Sequence, residues 1–192
     1  MKQTNAETVE TAGERIDERL LVSEITGGDK ELFRIFVQRY EQKVFALGVS
    51  FFHNADDAAD FTQDVFLKAF HSLKGFEGRS RFSTWLFKIA YNTAINAVNR
   101  KKEYRSLAEE DASAVERTEQ NVMYKLTQNA VRTAVENLPA KYRVCVDLFF
   151  FYGRSYKEIE VITGFPVNTV KSHVFRAKKI LRKKLADFQG EI

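Results

Sequence analysis

Apolar residues recur at three- and four-residue spacing along most of this 192-residue chain, and only nine glycines and two prolines interrupt them. That period marks amphipathic helices, and the shortage of turn formers argues against an all-β fold. The pattern predicts a short helix over 16–25, broken by Gly27-Gly28, and Asp29 as N-cap of a long helix over 30–53. After His53-Asn54, Asp56 is expected to open a helix that runs from Asp57 to about Leu73. Another follows from about Phe82 to Lys101. A second helical unit begins near Thr127. Its first stripe is stopped by Pro139, and helices are predicted over 140–152, 156–163 and 167–185. The expected fold is all-α: two small helical domains, 16–102 and 127–187, joined by a flexible acidic linker over 103–126 and preceded by a disordered tail over 1–15.

Charge is distributed to match. The formal net charge is +4. Residues 31–102 carry eleven Lys/Arg against seven Asp/Glu, and 127–192 carry twelve against six. The segments before and between these blocks are acidic, so positive charge is gathered in the two units, as a polyanion partner would require. One cysteine, Cys145, excludes an internal disulfide and reads as a small buried hydrophobe. No apolar run is long enough to cross a membrane, and the N-terminal stretch lacks the apolar core of a signal peptide, so a cytoplasmic protein without membrane insertion is expected. His53, His71 and His173 are isolated and share no metal-ligand spacing with Cys145. No nucleophile–base or glycine-loop motif stands out either. An enzyme, a metal site and a cofactor are therefore not expected.

Three stretches carry specific chemistry. On the helix after Asn54, Asp57, Asp60, Gln63 and Asp64 share one surface opposite the apolar stripe of Phe61, Val65, Phe66, Ala69 and Phe70. The residues alone leave open a solvated face or a dock for a basic partner. Next, Phe76, Arg79, Arg81, Phe82, Ser83, Trp85 and Lys88 bring aromatic faces and cations together, and Asn92, Asn96 and Arg100 follow on the same helix. Unpaired bases stack on such rings while cations hold the backbone, although Phe82, Leu86, Ile89 and Ala90 also fit a core stripe. Last, Ser155-Tyr156-Lys157-Glu158 matches a capping box. An eight-residue helix, a turn at Gly164-Phe165 and a helix opened by Pro166 then read as a helix-turn-helix. The second of those helices would present Thr169, Lys171, Ser172, His173, Phe175, Arg176 and Lys179 to DNA.

The runs TQDVFLKAF and FSTWLFKIAYN resemble region 2 of bacterial extracytoplasmic-function sigma factors, and TVKSHVFRAKK, after its helix and turn, resembles their region 4. The resemblance covers roughly residues 16–187. It implies a promoter-specificity factor for RNA polymerase. Asp57, Asp60, Gln63 and Asp64 would dock on the clamp helices of the polymerase β′ subunit, and region 4 on the β flap. Phe76 to Ser83 would capture a base flipped from the −10 element. Trp85, Lys88, Asn92, Asn96 and Arg100 would hold the opened strand and upstream DNA, and the last helix would read the −35 element. An anti-sigma partner is a further implication. The alternative is a duplex-binding helix-turn-helix regulator, which needs only the second unit. Glu160 departs from the pattern, which usually has a small residue there, often Ala. Its carboxylate is expected to point outward toward a basic neighbour.

Overall fold

The computed structural model describes residues 17–107, Val131 and 133–189, with side chains placed as far as Arg100 and Ala186 in the two blocks. The expected tail over 1–15 and residues 108–126 of the expected linker lie outside these residues.

Helix α1, Glu18–Gly27, starts where the Asp17 carboxylate accepts the Arg19 amide at 2.9 Å. Asp29 makes no side-chain cap. Lys30–Leu32 form one 3-10 turn instead, and α2 runs Phe33–Phe52. His53 closes α2 in the left-handed region, at φ 55°. Asn54, rather than Asp56, caps α3 (Ala55–Ser72), accepting the amides of Asp56 and Asp57 at 2.7 and 3.2 Å. The reason is positional: Asn54 is still extended and its short amide reaches back over the first turn. A 3-10 turn at Leu73–Gly75 leads to the loop before α4, Phe82–Leu107. Here α4 outruns its expected end near Lys101, because Lys102, Glu103, Arg105 and Leu107 are all good helix formers.

Helices α2, α3 and α4 enclose one core around Phe36, Val44, Leu47, Val65, Leu86, Phe87 and Ala90, all fully buried. Contact between α2 and α3 is close enough to demand glycine at 48. A Cβ there would lie 2.7 Å from the Phe61 ring and 3.1 Å from the Ala58 backbone.

In the second unit, Pro139 precedes α5, Ala140–Val146. The predicted helix over 140–152 does not continue regularly. Asp147–Phe151 form a wide π turn, with the Tyr152 amide bonded to the Asp147 carbonyl at 3.1 Å. The extra residue in that turn leaves Asp147 and Leu148 buried and turns Phe150 out to solvent together with Phe151. Helix α6, Tyr156–Thr163, begins at the predicted capping box: the Ser155 hydroxyl accepts the Glu158 amide, and the Glu158 carboxylate accepts the Ser155 amide. Gly164 ends it at φ 76°, a conformation that favours glycine. Helix α7 runs Val167–Gln189. Cys145 is fully buried, as read from sequence. The two units are not separate bodies. One continuous core joins the first unit to Val144, Cys145, Leu148, Ile159, Ile162, Val170 and Val174 of the second.

Candidate nucleic-acid interface

Helix α3 separates its two faces cleanly. Phe61, Val65, Phe66 and Ala69 are buried, while Asp60, Gln63 and Asp64 are exposed and Asp57 is half-buried. Lys68 pairs with Asp64 at 3.0 Å on the same helix. The sequence reading missed Leu67. It follows Asp60, Gln63 and Asp64 by seven, four and three residues, and its side chain is 57% exposed at the C-terminal end of the acidic surface. A large apolar residue lying off its helix's own stripe was the available signal.

The aromatic loop is built from the core outward. Phe82 was expected to offer a face to DNA, but it is buried. Its ring stacks on Phe36 with centroids 3.7 Å apart, and both faces of the group are occupied by protein. Phe76 meets Phe82 edge-on at 5.8 Å, and Trp85 leans on both at 5.3 and 5.5 Å. Phe76 and Trp85 remain half-buried, so Phe82 is the anvil and these two are the rings with free surface. Ser83 is also buried, its hydroxyl accepting Arg154 Nη1 of the second unit at 2.9 Å. Arg79 is exposed, paired to Glu77, and Arg81 is exposed. Lys88, Asn92, Asn96 and Arg100 recur every four residues and are all exposed, forming one polar ridge along α4.

The helix-turn-helix holds a second correction. His173 points inward: Tyr142 and Phe165 flank its ring, each with centroid 5.2 Å away, and Nδ1 lies 3.7 Å from Cys145 Sγ. It sits on the apolar side of α7 with Val170, Val174 and Ala177, which explains the burial. Burial, with help from Lys141 and Arg176, holds its imidazole below the usual value and so neutral at physiological pH. Lys171, Phe175, Arg176 and Lys179 are exposed, Phe175 at 70%, and Thr169 and Ser172 are half-buried. Glu160 does not point outward to a base. Its Oε1 accepts the amide of Val167, the first residue of α7, at 3.0 Å. The carboxylate therefore crosses the turn and closes the N-terminus of the second helix, where negative charge is favoured. Among the described residues no cluster of His, Cys, Asp or Glu is placed to hold a metal, and no helix is long and apolar enough to cross a membrane.

The chain matches the family model for Sigma-70 region 2 over residues 36–104 and that for Sigma-70 region 4 over 128–181. It is 35% identical over 185 residues to the ECF RNA polymerase sigma-E factor of Escherichia coli, covering 90% of this chain and 96% of that one. The chain belongs to the extracytoplasmic-function (ECF) sigma factors. The RNA polymerase sigma-H factor of Pseudomonas aeruginosa is 34% identical over 177 residues, covering 86% and 92%. Among solved structures, the sigma factor RpoE in complex with the anti-sigma factor NepR, from Bartonella quintana, superposes with a TM-score of 0.68 at 24% identity over 80% of this chain and 96% of that one, a likeness of fold. As an ECF sigma factor, the chain directs transcription through DNA-binding regions 2 and 4 and associates with RNA polymerase and promoter DNA. Such factors are in general specificity subunits, not catalysts.

Proposed function

We propose that this ECF sigma factor docks on core polymerase through the acidic face of α3 and reads a two-part promoter with α4 and α7. Asp57, Asp60, Gln63 and Asp64 make the polar contacts with the β′ clamp helices, and Leu67 gives that face an apolar end. Phe76 and Trp85 stack on bases exposed as the −10 element opens. Arg79, Arg81, Lys88, Asn92, Asn96 and Arg100 hold the strand and the upstream duplex. Phe82 and Ser83 support the loop from beneath. At the −35 element Thr169, Lys171, Ser172, Phe175, Arg176 and Lys179 face the major groove, with His173 a packing residue behind them. The β flap is the second polymerase contact. An anti-sigma factor is the expected regulator, the action is cytoplasmic, and the chain has no catalytic step of its own. A regulator using only the helix-turn-helix would leave the region 2 ridge and acidic face without a task.

The observation that carries the reading is the ridge of Lys88, Asn92, Asn96 and Arg100, which continues from two partly exposed aromatic rings on an element matching region 2. The test is run-off transcription from a randomised promoter library with core polymerase and this protein. Starts sharing a −35 and −10 pair support the reading. Firm duplex binding by the chain without any initiation would overturn it.

A further inference from the structure

Helix α1 carries none of the residues assigned to polymerase or promoter, and it precedes the segment matched to Sigma-70 region 2, residues 36–104. One stripe of it nevertheless faces the −10 loop. Leu21, Val22 and Ile25 are buried and fix the helix on the region 2 core. Its N-terminus is tied down separately: Asp17 caps it, and Glu18 Oε1 accepts the Tyr40 hydroxyl and Arg39 Nη1, the latter at 3.1 Å. Arg19, Val22, Ser23 and Thr26 fall at i, i+3, i+4 and i+7, on one side of the helix. Opposite them lie Phe76, Glu77 and Gly78, and these seven residues line a groove of about 350 Å³. Gly78 bends the loop at φ 68°, a conformation that favours glycine, and Arg19 Nη2 donates to its carbonyl at 3.4 Å.

The lining is that of a seat for a single unpaired base. Phe76 supplies an apolar ring, half-buried and braced by Phe82 and Trp85, and a base stacks on such a ring. The volume is at the small end for a ligand site, which suits one base rather than several. Polar chemistry is divided between the walls. The Arg19 side chain is exposed and, beyond its long bond to Gly78, has no partner among the described residues, so most of its five N–H donors are open. Thr26 directs its hydroxyl hydrogen to the carbonyls of Val22 and Ser23, at 2.8 and 3.1 Å, which leaves its oxygen as an acceptor. Glu77 is exposed, paired with Arg79, and can only accept. A base edge offering both an acceptor and an amine meets this arrangement. Adenine, cytosine and guanine carry an exocyclic amine, and thymine has none. Position decides the occupant. The groove shares Phe76 with the stacking surface of Phe76 and Trp85, so a strand opened over those rings reaches it next. Arg79 and Arg81, exposed on the same loop, supply cations for its phosphates.

We propose that α1 is a promoter-reading element: the groove between it and the −10 loop seats one unpaired base of the opened strand, whose edge is read by Arg19, Ser23 and Thr26 on one wall and by Glu77 on the other. Arg19 is the specificity-determining residue, and thymine is the base refused. The inference rests on the reading of region 2 as the unit that opens the −10 element, and it adds a base contact from outside the matched region.

The experiment uses the full chain with core polymerase. Run-off transcription from a library randomised across the −10 region gives the base preference at each position, for the wild type and for Arg19→Ala. Arg19 is exposed on a helix held by its apolar face and by Glu18, so the variant should keep the wild-type circular dichroism. The wild type is expected to disfavour thymine about tenfold or more at one position. In Arg19→Ala the preference at that position alone should fall to about twofold or less, with the −35 element and the other −10 positions read as before. An abasic nucleotide placed there should cost the wild type more than it costs Arg19→Ala, so that the two losses do not multiply, as holds for groups in contact. Equal loss at every −10 position in Arg19→Ala would make Arg19 a brace for the loop and overturn the proposal. So would unchanged preferences in that variant, or losses from the abasic site and the substitution that simply multiply. Failure of the wild type to initiate on any member of the library would instead sink the sigma reading, and this inference with it.

Discussion

Glu160 shows how one side chain sets the pose of a reading surface. Its carboxylate is fixed to the first amide of α7, so it ties the two helices of the helix-turn-helix at their nearest ends. Glu160→Ala removes a charge-assisted cap, worth about 1 kcal/mol, and frees the angle at which Lys171, Phe175 and Arg176 meet the groove. We expect discrimination between the cognate −35 element and one carrying a single mismatch to fall several-fold, while Glu160→Gln, which keeps an acceptor, retains most of it. Competition binding with paired duplexes measures both. If the alanine variant weakens all duplexes equally, Glu160 serves stability alone. Glu158 makes a pH prediction. Burial raises its pKa, but the Ser155 amide and hydroxyl, the Thr84 hydroxyl and Arg154 outweigh it, so the carboxyl titrates below its usual 4.5. A lowered pKa means the native state favours the carboxylate. The stabilisation is therefore present above the unfolded value and lost as pH falls through the native one. Thermal unfolding of the wild type and Glu158→Gln should show a wild-type advantage at pH 6 that shrinks as pH falls past 4.5 and is gone once the carboxylate is protonated in the native state as well. Asp147, whose pKa burial raises while Ser50 and Arg143 oppose, shifts the other way, but it is common to both proteins and cancels in the difference.

At the scale of the element, α3 carries opposite chemistry on its two faces, and a change on one should leave the other intact. Asp64→Arg lies on the exposed face and removes only the pair with Lys68, worth a few tenths of a kcal/mol. The unfolding midpoint should move by no more than a degree or two, while co-purification with core polymerase is lost. Unchanged co-purification would remove α3 from the docking role. The same helix shows what was legible beforehand. Its stripe, its acidic face and its Asp64–Lys68 pair follow from the 3.6 period, because helix periodicity alone decides which residues share a side. The capping box at Ser155 was equally legible, being a local pattern with a local cause. Phe82 and His173 were misplaced because both lie where a core stripe and a DNA-facing surface overlap in sequence. Only the ring of Phe36 in one case, and those of Tyr142 and Phe165 in the other, decide which side they take. The π turn at Asp147–Phe151 and the span from Glu160 to Val167 left no sequence signal, since a widened turn and a seven-residue side-chain reach have no period.

At the scale of the molecule, the proposed two-part reading asks one covalent connection to serve two geometries. Closed, it joins both regions through a shared core and polar bonds. On that reading it must also place α4 and α7 on elements about 85 Å apart along the duplex. The 23 residues from 108 to 130 meet that span only when nearly extended, with a reach near 80 Å and the remainder supplied by the bodies of the units. Length here is a functional quantity, independent of which side chains the segment carries. Deleting ten of those residues leaves 13 and a reach of about 43–47 Å. Such a chain keeps both units, so duplex binding to an isolated −35 element and retention by core polymerase should match the wild type. Run-off transcription from the full two-part promoter should fall at least tenfold, a loss of 1.4 kcal/mol or more in productive engagement. Replacing the ten with a Gly/Ser segment of equal length should restore it. If the substituted chain stays inactive at full length, sequence in the segment matters as well as reach. If the shortened chain initiates normally, the two regions do not bind their elements at once, and the two-part geometry itself fails.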